Sequence, residues 1–87
     1  MESYSVSIKP SAAKELEALP TLKDRQRATA LIRGLSENPR PQGSLKLAGA
    51  SDAYRIRFGS NRILYTVSDR VRIVAVIKVA HRREAYR

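Results

Sequence analysis

Three strand-like runs crowd the second half of this chain, and the turns between them are too short for anything but hairpins. Tyr54, Ile56 and Phe58 alternate with Arg55 and Arg57, the period-two pattern of a half-buried strand. Gly59-Ser60-Asn61 reads as a hairpin loop. Arg62 to Val67 forms the next strand, and Ser68-Asp69-Arg70 turns the chain again. Val71 to Val79 is apolar on both faces near its middle, which predicts a strand inside the sheet rather than at its edge.

The first half supplies what covers that sheet. Tyr4, Val6 and Ile8 alternate with serines, predicting an opening strand. Lys9-Pro10-Ser11 breaks it, with Pro10 suited to a first helical turn and Ser11 to an N-cap. Ala12, Leu16 and Leu19 follow at helical spacing, and Pro20 stops the helix. Thr21 with Asp24 resembles a capping box, and Leu22, Ala28, Leu31, Ile32 and Leu35 make one apolar stripe that runs out near Asn38-Pro39. Lys23, Arg27 and Arg33 lie opposite. Leu45 and Leu47 are the start of a short strand. The predicted fold is α+β, in the order β-α-α-β-β-β. Two helices pack on one face of a small, mostly antiparallel sheet, and residues 1–87 form a single domain.

The chain has 87 residues and no cysteine, so neither a disulfide staple nor a thiolate metal site is available. The opening Met-Glu-Ser-Tyr-Ser-Val lacks a signal-peptide pattern, and no apolar run approaches the ~18 residues of a membrane span. A cytoplasmic location and no membrane association are expected. The net charge is +9 and is unevenly placed. Residues 53–87 carry nine Lys/Arg against Asp69 and Glu84, and eight of the nine are arginine. Arginine presents a planar fork of donors suited to phosphate. A surface so biased draws polyanions through salt-sensitive contacts.

Several chemistries are excluded. One histidine and no cysteine argue against structural zinc, and no Gly-rich phosphate loop is present. His81 would be the sole base of any Ser-His-Asp set, and no nucleophile elbow exists. No cofactor or metal is expected. What remains is an arginine-rich strand face and a basic end. Arg55 and Arg57, two apart, leave the same sheet face. Arg57 and Arg62 should lie near the closed end of a hairpin. Such alternation is also how a merely solvated sheet face reads. Its coincidence with His81-Arg82-Arg83-Glu84-Ala85-Tyr86-Arg87 at one sheet end is what favours phosphate binding. Lys46 and Lys78 are further candidate RNA contacts.

These blocks, in this order, resemble the RelE/ParE toxin superfamily. They are Tyr4–Ile8, Pro10–Leu16, Leu35-Ser36-Glu37-Asn38-Pro39, Lys46-Leu47-Ala48-Gly49, Tyr54–Gly59, Arg62–Val67 and the terminal His81–Arg87. The resemblance to the RelE branch implies a ribosome-dependent endonuclease. It would cleave mRNA in the A site by attack of the substrate's own 2′-OH, leaving a 2′,3′-cyclic phosphate. It also implies roles by position. Arg55 and Arg57 stand where that branch usually has lysine, Arg62 opens the next strand, Arg82 follows the last strand and Tyr86 supplies the terminal phenol. Tyr86 is the candidate base, with Arg62 and Arg82 stabilising charge. His81 is a candidate general acid, and Arg83 and Arg87 are docking charges for ribosomal RNA. An acidic cognate antitoxin is the expected partner, with oligomerisation through it. The alternative is a ParE-like inhibitor of DNA gyrase that cleaves nothing.

Overall fold

The computed structural model describes residues 3–81. It contains β1 (Ser5–Ile8), α1 (Pro10–Glu17), α2 (Leu22–Gly34), β2 (Ser44–Lys46), β3 (Ala53–Phe58), β4 (Asn61–Ser68) and β5 (Ile73–His81). The strands make one sheet in the order β1-β5-β4-β3-β2. β1 runs parallel to β5, and every other pairing is antiparallel. The α+β reading therefore holds, with the short strand near Leu45 formed as β2. β5 lies inside the sheet, as its apolar run requires, but it begins at Ile73. Arg72 precedes it at φ 55, a left-handed turn position, and Val71 is exposed.

Both helix starts follow local chemistry. Pro10 occupies the first turn of α1 and Lys9, not Ser11, is the N-cap residue. Proline's fixed φ suits that turn, and its missing N–H would be unpaired there anyway. Thr21 caps α2, its hydroxyl accepting from the Asp24 N–H at 3.0 Å. α2 ends at Gly34, earlier than Asn38-Pro39, because residues 35–38 turn back through bonds to the Ile32, Arg33 and Gly34 carbonyls. Leu22, the first residue of that helix, stays 60% exposed, so the stripe facing the sheet reduces to Ala28, Ile32 and Leu35, with Leu31 packed beside them.

The core lies between the helices and one sheet face. Ile56 and Phe58 of β3, Ile63, Tyr65 and Val67 of β4, and Val74, Val76 and Val79 of β5 meet Ala12, Leu19, Ala28, Ile32 and Leu35. Tyr65 is fully buried, donates to the Pro39 carbonyl at 2.9 Å and stacks on Tyr54 with ring centroids 5.8 Å apart. Burial pushes its phenol pKa up.

The sheet end carrying the β4–β5 turn is closed by polar groups. Arg40 grips Asp69 through two nitrogens at 2.7 and 3.1 Å, and its Nε donates to the Tyr54 hydroxyl at 2.9 Å. The Tyr4 hydroxyl donates to the same carboxylate. Arg40, with Tyr4 behind it, holds the Asp69 carboxyl at about 2. Arg57 and Arg62 are thus at the other end of the sheet.

Candidate active site

The β3–β4 hairpin builds the site. Gly59 takes φ 55 in the two-residue turn, the left-handed value that a tight hairpin needs and glycine adopts without strain. Asn61 belongs to β4 rather than to the loop, pairing with Phe58. That register places Arg57 directly across from Arg62, and Arg55 across from Leu64. Residues directly opposite in an antiparallel ladder leave on the same face. Arg55, Arg57 and Arg62 therefore share the face that the helices do not cover.

The surroundings suit an elongated anion. Ala80 lies across from Arg62 on β5 and is buried. Leu45 of β2 lies across from Arg55 and is 55% exposed. With Leu64, it sets an apolar strip beside the arginines. Grooves of about 440 and 380 Å³ run along α2 and between β1 and α2, and none of these three arginines lines them. Among the described residues no cluster of three or more His, Cys, Asp or Glu could hold a metal. No described helix is long and apolar enough to cross a membrane.

Other candidates are placed differently. His81 pairs with Asn61, which puts it on the helix-covered face and not with Arg57 and Arg62. Lys46 pairs with Tyr54, also on the helix side, and away from Arg55. Lys78 is held by Glu15 of α1 at 3.1 Å. Arg82, Arg83, Tyr86 and Arg87 lie outside the described residues. Two residues at this end escaped the sequence reading. The Arg27 guanidinium lies 6.0 Å from the Phe58 ring centroid, bringing a helix arginine to the hairpin. Asn61 is 3% exposed, and neither side-chain polar atom has a partner among the described residues. The sequence signal for Asn61 was available: once the loop is two residues long, position 61 joins the inward set of Ile63, Tyr65 and Val67.

The chain is similar to known toxins. The family described as the ParE toxin of type II toxin-antitoxin system, parDE, matches residues 6–86. The toxin RelE1 of Methanocaldococcus jannaschii is 31% identical over 97% of this chain and 96% of its own length. The RelE–RelB complex of Pyrococcus horikoshii contains a similar chain, with TM-score 0.80 and 28% identity over 91% of this chain and 94% of that one. A free RelE toxin variant from E. coli gives 0.78 and 28%, covering 97% and 88%.

Proposed function

Since the chain belongs to the ParE toxin family of type II toxin–antitoxin systems, in its RelE-type branch, we propose that it is a ribosome-dependent mRNA endonuclease. The observation that carries this reading is the Arg57–Arg62 pair with Arg55 on the uncovered sheet face. Three fixed cations on one strip suit a phosphate that gains negative charge as it reacts.

In the proposed reaction the substrate 2′-oxygen attacks the adjacent phosphorus and the bond to the 5′-oxygen breaks. The products are a 2′,3′-cyclic phosphate and a 5′-hydroxyl. Tyr86, as phenolate, takes the 2′-OH proton. An unperturbed tyrosine has a pKa of about 10, and guanidinium groups brought close to it would favour the anion. Arg62 and Arg82 stabilise the phosphorane charge as preorganised donors, while Arg55 and Arg57 hold the flanking phosphates. Arginine stays protonated in proteins, so none of these four serves as a proton donor. The 5′-oxygen takes its proton from His81 or through water. The His81–Asn61 pairing on the opposite face favours water. The scheme has no metal or cofactor step. An acidic antitoxin would neutralise the protein by covering the arginine strip and the apolar Leu45–Leu64 strip beside it, as suits a +9 chain. Similar structures are RelE–RelB complexes.

Primer extension on an mRNA in translating extract tests the reading. Wild type should leave A-site breaks bearing cyclic phosphate, and Tyr86→Phe should leave none while still binding ribosomes. A parallel assay with gyrase and supercoiled plasmid addresses the parDE description of the family. Inhibition there without RNA breaks would replace the nuclease reading.

A further inference from the structure

β5 changes its support halfway along. Its pairing with β1 runs from Ser5↔Ile73 to Ile8↔Val76, and the last bond from that side is Lys9 N–H to the Val76 carbonyl. At Pro10 the chain turns into α1. On the other side the β4 register slips between Leu64 and Tyr65, where Lys78 and Val76 are the successive partners and Ile77 is the extra residue. The segment from Ile77 to His81 is thus a strand end beyond a bulge, without β1. Residue 82 and the rest of the basic terminus follow it directly in the chain.

One side chain replaces the missing strand. The Glu15 carboxylate of α1 accepts from the Val79 backbone N–H at 3.0 Å and from the Lys78 ammonium at 3.1 Å. Its side chain is 29% exposed. A buried backbone donor must be paired, and here a helix side chain does what a ladder would do. Val79 packs into the core and Ala80 lies across from Arg62, so this clasp sets the end of β5 against the arginine strip. Asn61, opposite His81, makes no side-chain hydrogen bond among the described residues.

We propose that Glu15 is a positioning residue for RNA cleavage: its clasp on Val79 and Lys78 fixes the end of β5, and thereby where the chain carrying Arg82 and Tyr86 leaves the sheet beside Arg62. The proposal rests on the nuclease reading above. Glu15 touches no substrate and acts through the strand. The carboxylate oxygen on Val79 is the part that matters, so an amide in its place retains the function.

The test compares Glu15→Ala, Glu15→Met and Glu15→Gln, with folding checked by thermal melts. Met preserves the stem's packing should Ala fail to fold. Two quantities are read: hydrogen exchange of the Val79 amide, and single-turnover cleavage of mRNA on saturating ribosomes. Ala and Met should speed Val79 exchange and lower the cleavage rate about tenfold to a hundredfold, the scale of a ~1 Å misplacement. Half-saturation by ribosomes should be unchanged, and Gln should restore both quantities. Unchanged exchange in Ala and Met would overturn the clasp. Faster exchange with undiminished cleavage would overturn its role in positioning. A wild-type protein that cleaves nothing would instead overturn the nuclease reading, while Val79 exchange would still decide whether Glu15 holds the strand.

Discussion

Arg57 and Arg62 face each other across the β3–β4 ladder, one residue pair from the turn that closes the hairpin. The arrangement concentrates positive charge on one strip of the sheet face opposite the helices. Substitutions at this pair test its role in phosphate binding.

Arg62→Ala should lower the cleavage rate by about 10²–10³, the usual loss when one preorganised transition-state donor is removed. Ribosome affinity should fall far less. Single-turnover kinetics and ribosome-binding titrations on the same preparation check both. A loss confined to affinity would make Arg62 a docking residue.

The Asp69 clasp predicts an acid limb to stability. Arg40, then Tyr4, depress the Asp69 carboxyl from 3.8 to about 2. The folded state therefore binds this proton less readily than the unfolded chain. The contribution is complete above the ordinary carboxylate value and disappears as pH falls through about 2. Melting temperatures should decline between about pH 5 and 2, and Asp69→Asn should decline less over the same window. Parallel slopes for the two proteins would remove Asp69 from the acid response.

Tyr65→Phe should destabilise by about 1 kcal/mol, through loss of a buried hydrogen bond and an unpaired Pro39 carbonyl. The ring and its stack on Tyr54 persist, so the effect isolates the hydroxyl. Chemical denaturation should show a lower midpoint at constant m-value.

Asn61→Leu should stabilise by about 1–3 kcal/mol, the range of the penalty for a buried polar group left unpaired. Its position among Ile63, Tyr65 and Val67 already suits an apolar side chain. A raised denaturation midpoint would confirm the sign; a lowered one would show that the amide finds a partner in solution.

The sequence by itself determined the elements and their faces. Period-two alternation at Tyr54–Phe58 and Arg62–Val67, helical spacing from Ala12 and the Thr21 cap each follow from local chemistry, and the structure repeats them. It also determined that Arg55 and Arg57 share a face, because the pleat has period two. What only the tertiary structure decided is register and long-range pairing. Whether Arg57 meets Arg62 depends on the turn being two residues long rather than three, a one-residue difference that reverses every side chain beyond it. The same shift turned Asn61 inward, opposite His81 and away from the arginine strip. Lys46 is exposed, and the pairing of β2 with β3 sets it across from Tyr54, on the helix side of the sheet. Glu15 was legible only as one more polar residue of an amphipathic helix. Its partner, the Val79 N–H, lies 64 residues away, and no local pattern encodes which backbone donor a fold will leave unpaired.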